Sequence, residues 1–390
     1  MGQDTSEVEG PTARRPSSYP VACILALSVL ICVGFAAHAW TPAQPGYLWS
    51  FPRDHWAREG YKTEWWYFTG HLHTADEPAR HFGFQFTFFR IGLSQGPLES
   101  GSAWAAKDMI MGHAALTDLQ TGRHRFSELV VRAAPLLAGF GRHPDPRLAW
   151  SVGPPGTPEP WELRWNGNGF DFTMSDAGNS FGFSLSTRPL KPVVFQGPGG
   201  LSRKGEGVTE ASHYYSFTRM ATTGKIRLDG KELEVSGVSW MDKEFGSNQL
   251  GEDTSGWDWF SLQLDDGREV MLYLLRGRDG ETRYAGATLV DPAGAVRYLR
   301  PGEWKLKATG EWTSPVSGAA YPAGWTLDIP GAGIRTVIIP RLADQENRSA
   351  LIPNLFYWEG SVRVESGSGE RLGQGYVELT GYGENSRPPI

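Results

Sequence analysis

Cysteine is almost missing from this chain of 390 residues: there are two, Cys23 and Cys32, and both fall in one apolar run near the N-terminus. Past that run there is no thiol, which excludes a disulfide framework, a thiolate nucleophile and a cysteine-ligated metal. Charge is scarce as well. Charged residues make up 21%, the net charge is −6, and there is no Lys/Arg cluster, so a nucleic-acid partner has no electrostatic footprint to meet. Long helices are excluded by the lack of any window beyond about a dozen residues with helical spacing, and by 49 Gly and 27 Pro scattered without a period. The metalloprotease pattern H-E-x-x-H does not occur. Gly237 to Met241 and Gly182 to Ser186 begin like the G-x-S-x-G elbow of serine hydrolases but lack its closing glycine, and that elbow belongs to an α/β fold in any case.

What the chain has in quantity is aromatic residues: 16 Trp, 13 Tyr and 19 Phe. They stand in short runs cut by Gly, Pro, Asp and Asn, such as Trp65 to Phe68, Phe82 to Arg90 and Trp257 to Leu264, with period-two alternation clearest in FGFQFTF. That pattern predicts an all-β protein. A repeat sets its organisation. Trp65-Trp66-Tyr67-Phe68 aligns with Trp257-Asp258-Trp259-Phe260. In the same order, Phe84 to Arg90 aligns with Val270 to Arg276, and Ala114-x-Leu116-x-Asp118 with Ala287-x-Leu289-x-Asp291. Two similar antiparallel units follow from this, over 47–245 and 246–390, each of a size that closes into a barrel. Gly/Pro-rich insertions are expected over Ala133 to Glu159 and Gln196 to Gly207, the second, with Lys204, as a lid or surface loop.

The first 39 residues read as an address. Arg14 and Arg15 precede an uncharged run from Val21 to Ala37, and Ala37-His38-Ala39 has the form of a cleavage signal. A cleaved signal peptide and a membrane anchor over 21–37 both fit. Either exports the remainder, with 40–46 as a linker, to the periplasm or the exterior.

The stretches Phe51 to Leu72 (FPRDHWAREGYKTEWWYFTGHL), Ser212 to Met220, Val238 to Leu250 (VSWMDKEFGSNQL), Gly256 to Gly267 and Tyr357 to Tyr382 carry a resemblance. They resemble the secreted lipocalin-like family of carotenoid 1,2-hydratases and kievitone hydratase, which also includes AttH-like predicted secreted hydrolases. The resemblance implies two tandem lipocalin-like barrels and an apolar, isoprenoid or lipid-like ligand. It also implies cofactor-free addition of water to a C=C bond, with no metal. Its proposed active site maps onto His213, Tyr215, Trp240 and Asp242, with Tyr and Trp exchanged relative to those enzymes. A carboxylic acid in an aromatic pocket stays protonated near neutral pH, and aromatic faces steady a cation, so Asp242 is the expected proton donor. Tyr214, Trp66, Trp257 and Trp259 are the expected ligand-facing aromatics.

Other readings stand beside this one. A non-enzymatic periplasmic carrier, or an accessory of an ABC transporter, needs the same pocket but no protonated acid; a secreted hydrolase needs a nucleophile not identified. Trp240 to Gly246 also fits a structural joint with Asp242 and Glu244 paired to Lys or Arg. His71-x-His73, with His113 and His55, fits a zinc pair less well than ordinary core or surface histidines. Glu64 and Asp258, beside the repeated aromatic segments, fit charges that cap the first strand of each unit better than a catalytic carboxylate pair.

Overall fold

Residues 40–96, 101–102, 104–251, 253–383 and 386 are described by the computed structural model; the expected export segment over 1–39 lies outside them. The first sheet has thirteen strands. They are β1 (Thr63–His73), β2 (His81–Gly92), β3 (Asp108–Asp118), β4 (Arg123–Arg132), β5 (Ala138–Phe140), β6 (Arg147–Ser151) and β7 (Trp161–Trp165), then β8 (Phe170–Asp176), β9 (Phe181–Pro189), β10 (Val194–Phe195), β11 (Leu201–Arg203), β12 (Ala211–Leu228) and β13 (Lys231–Asn248). The lateral order β4-β3-β2-β1-β13-β12-β9-β8-β7-β6-β5 brings the last long strand back beside the first, and the sheet curls into a nearly closed antiparallel barrel.

The second half repeats the plan. Its strands are β14 (Thr254–Leu264), β15 (Glu269–Gly277), β16 (Thr282–Val290), β17 (Val296–Leu299), β18 (Lys305–Ala308), β19 (Glu311–Thr313) and β20 (Ala320–Pro322), then β21 (Trp325–Ile329), β22 (Ile334–Pro340), β23 (Glu346–Arg348), β24 (Phe356–Glu365) and β25 (Arg371–Leu379). The order β17-β16-β15-β14-β25-β24-β22-β21-β18 makes the second sheet, with β23 on β24; β19 and β20 pair apart. The aligned sequence segments are β1 and β14, β2 and β15, β3 and β16. In each half the first long strand pairs with the last, β1 with β13 and β14 with β25.

Alternation sorts the side chains into three apolar clusters. Trp66, Phe68, Phe84, Phe86 and Phe172 fill the first barrel, and Phe260, Trp325, Leu327 and Val362 pack the second sheet. The opposite faces of β1, β12, β13, β14, β15 and β25 supply the third cluster: Tyr67, Tyr214, Trp240, Trp259, Met271, Tyr273, Leu275 and Tyr376. In an ordinary antiparallel sheet that face meets water; here it is buried because the two halves lie against each other. Lys191 fastens them, donating to the fully buried Glu269 carboxylate at 2.7 Å and to the Asp291 carbonyl at 2.7 Å.

The hairpin joining β12 to β13 turns on Asp229 and Gly230, both at positive φ (51° and 77°). That is the backbone a type I′ turn demands and the Asp-Gly pair provides. The turn fixes the register of these two 18-residue strands, and so decides which of their residues share a face.

Candidate functional site

The register of β12 on β13 is the starting point. Ser216 lies opposite Asp242, Tyr214 opposite Glu244, Tyr215 opposite Lys243 and His213 opposite Phe245. Directly opposed residues of an antiparallel pair share a face. Tyr214, Ser216, Asp242 and Glu244 therefore look toward the second sheet, with Trp240. His213, Tyr215, Lys243 and Phe245 look into the first barrel.

On the outward face Asp242 is 3% exposed and is held by three neutral donors. Ser216 Oγ at 2.5 Å and Trp240 Nε1 at 2.8 Å both donate to Oδ1; Tyr214 Oη donates to Oδ2 at 2.8 Å. Trp259 Nε1, from the second sheet, donates in turn to Tyr214 Oη at 3.1 Å, so the polar cluster spans both halves. No Lys or Arg pairs with Asp242 among the described residues. Burial pushes its carboxyl from 3.8 up to about 7, against the pull of the three hydrogen bonds, and Glu244 adds a smaller push. Glu244 has a partner of its own: Lys204 Nζ, 2.7 Å away, which also sits 4.6 Å above the Tyr273 ring. The glycine-rich insertion thus delivers a lysine to the site through β11, which pairs with β12.

Tyr214, Asp242, Glu244 and Lys204 line a cavity between the sheets, walled by Trp65, Tyr67, Phe89, Trp257, Trp259 and Tyr273 among others. Tyr67 and Trp259, equivalent in the repeat, meet edge to face at 5.1 Å. Asp242 lies opposite Tyr67, and Glu378 opposite Trp259. The repeat therefore puts an acid at corresponding places in each half, and Glu378 has Glu359 directly across from it on β24. Burial raises Glu378 to about 7 and lifts Glu359 well above the carboxylate range. Sequence reasoning did not single out Glu359, Glu378 or Tyr67. Glu378 holds in the second sheet the place that Asp242 holds in the first, opposite the aligned aromatic, a correspondence that only the strand pairing reveals.

The structure brings Tyr214, Trp240, Asp242, Trp257 and Trp259 together and separates His213, Tyr215 and Trp66 from them. His213 packs in the first half against Tyr47 (4.5 Å) and Phe245 (5.2 Å), and burial holds its pKa down to about 4. Tyr215 Oη is 2.6 Å from His55 Nδ1 in the same interior. Trp66 Nε1 donates to the His55 carbonyl at 2.7 Å, and its ring lies 3.4 Å beneath Lys243 Nζ. The strand pleat causes the division: odd and even positions of β12 face opposite ways.

The other candidate groups are dispersed. His71 Nε2 meets the Gly375 carbonyl and His113 Nδ1 the Tyr357 hydroxyl. No group of three His, Cys, Asp or Glu is disposed to hold a metal ion among the described residues. Glu64 is fully buried, accepting from Arg90, Lys243 and the Arg58 backbone N–H. Asp258 accepts from Arg276 Nε at 2.9 Å and from Tyr382 Oη at 3.0 Å.

A family model described as AttH-like matches residues 42–382. Among solved structures the chain is similar to a candidate AttH protein from Nitrosomonas europaea. They share 31% identity and a TM-score of 0.76, over 88% of this chain and 99% of that one. It is also similar, in fold, to kievitone hydratase from Nectria haematococca, with 13% identity and a TM-score of 0.61 over 88% of this chain and 96% of that one. No curated protein matches the chain.

Proposed function

The chain belongs to the AttH-like family, and on that premise we propose that it binds a largely apolar, isoprenoid-like ligand in the cavity between its sheets and adds water across a C=C bond. Asp242 is the acid. The observation that carries this reading is a carboxyl buried in an aromatic cavity wall, with neutral donors and no cation beside it. Such a group keeps its proton near neutral pH, as an acid catalyst must.

The chemistry needs no cofactor. Ser216 and Trp240 occupy Oδ1; Oδ2 accepts one hydrogen bond, from Tyr214, and carries the acidic hydrogen on its other side. That proton passes to one alkene carbon, the π electrons form the new C–H bond, and the other carbon becomes cationic. The faces of the Trp and Tyr rings steady the charge. Water then forms the C–O bond and returns a proton to Asp242, whose carboxylate is meanwhile held by its three donors. One alkene and one water give one alcohol, and the acid is restored. Kievitone hydratase, a hydratase by name, offers precedent for the fold only.

Export through residues 1–39 is part of the proposal, and the apolar ligand its expected partner. The test is incubation of residues 40–390 with acyclic isoprenoid alkenes in ¹⁸O-water, beside Asp242→Asn, read by mass spectrometry. Gain of one labelled water by the wild type but not the variant supports the reading. A ligand bound by both and never altered refutes it and leaves a carrier.

A further inference from the structure

The wall opposite Asp242 has a polar arrangement that the hydration step does not use. Glu359 and Glu378 face each other across β24 and β25 and both line the cavity. Among the described residues neither forms an ion pair with Lys or Arg; their polar partners are neutral, Asn347 Nδ2 at 3.5 Å from Glu359 Oε2, the Tyr67 side chain beside Glu359 and the Trp257 side chain beside Glu378. Among the described residues the one lysine lining the cavity, Lys204, is taken by Glu244. Gln85 Oε1, on a facing strand, is buried without any hydrogen-bond partner, while the Glu359 and Tyr67 side chains have each other. All three side chains are at most 6% exposed and line the same cavity.

Buried polar atoms are almost always satisfied, so an orphaned amide oxygen across the cavity from two carboxyls without a cation marks the place of a group that binds there. Two adjacent carboxyls with no counter-charge are pushed toward the protonated form, and a cation placed between them and the Trp and Tyr faces restores their charge, which specifies its sign. We propose that Glu359 and Glu378 form a cation subsite, which accepts positive charge on the cavity's ligand: an ammonium group on an apolar body, or the carbocation of the hydration step. The role in the reaction rests on the hydration reading; the binding preference does not.

The test uses the purified full chain and two probes with the same isoprenoid skeleton, N,N-dimethylfarnesylamine and farnesol, titrated at pH 8 against the fluorescence of the cavity tryptophans. The amine, protonated at that pH, should bind at least about tenfold tighter than the neutral alcohol. In the isosteric Glu359→Gln/Glu378→Gln variant, checked for native near-UV circular dichroism, the preference should fall to about twofold or less, while Asp242→Asn keeps most of it. An equal affinity for both probes, no binding of either, or a preference that survives the double variant and disappears in Asp242→Asn overturns the inference. Labelled-water incorporation judges hydration separately. Turnover without amine preference defeats this inference alone, and amine preference without turnover defeats the hydration reading alone.

Discussion

Replacing Asp242 by Asn should stabilise the protein at pH 8 while removing the proposed activity. In the folded state burial holds this carboxyl at about 7 instead of 3.8. At 1.36 kcal/mol per tenfold change in proton affinity, the buried charge costs at most about 4 kcal/mol once it is fully ionised. The sign follows from which state releases its proton first. Below about pH 4 the group is protonated in both states and there is no cost. Between about pH 4 and 7 the unfolded chain ionises while the folded one keeps its proton, so stability falls as pH rises; above about pH 7 the cost is constant. Asn escapes this, at a pH-independent cost of about 1–2 kcal/mol. Its Oδ1 can still accept from Ser216 and Trp240, but its amide must face a Tyr214 hydroxyl that already accepts from Trp259. Urea unfolding of both proteins at pH 5 and pH 8, followed by tryptophan fluorescence, isolates the pH-dependent part. The variant should gain about 2–3 kcal/mol on wild type between the two pH values. A difference that does not change with pH would refute the argument that burial keeps Asp242 neutral.

Glu64→Gln should cost about 3–5 kcal/mol in the same unfolding assay, because it leaves Lys243 and Arg90 buried beside an amide that cannot balance them; a loss below about 1 kcal/mol would show that the network contributes little. His213→Ala should lower stability by about 1–3 kcal/mol, since a buried ring is lost from the cluster with Tyr47 and Phe245. Its labelled-water turnover should stay within about threefold of wild type, because the ring faces away from Asp242. A loss of turnover beyond about a hundredfold would return His213 to the reacting centre.

How far the sequence could be read depends on what each feature needs. The repeat of Trp65 to Phe68 in Trp257 to Phe260 is local and survives as β1 and β14, and with it the two-sheet plan. The shared face of Trp240 and Asp242 needs only the pleat of one strand. Grouping them with His213 and Tyr215 needs the register of a neighbouring strand, which no single segment encodes. A slip of one residue between β12 and β13 would have set Tyr215 opposite Asp242; the Asp229-Gly230 turn and the irregularity between Phe217 and Met220 set Ser216 there instead. Even numbers on one strand then meet even numbers on the other, and Tyr214 replaces Tyr215 beside the acid. Glu359 and Glu378 lay further from reach. Acids alternating with apolar residues on β24 and β25 look like a solvent face, and they become site residues only because that face is covered by the other half of the molecule. The same covering isolates Asp242 from water, so the packing of two repeated units against each other, more than any one motif, gives the chain its candidate chemistry.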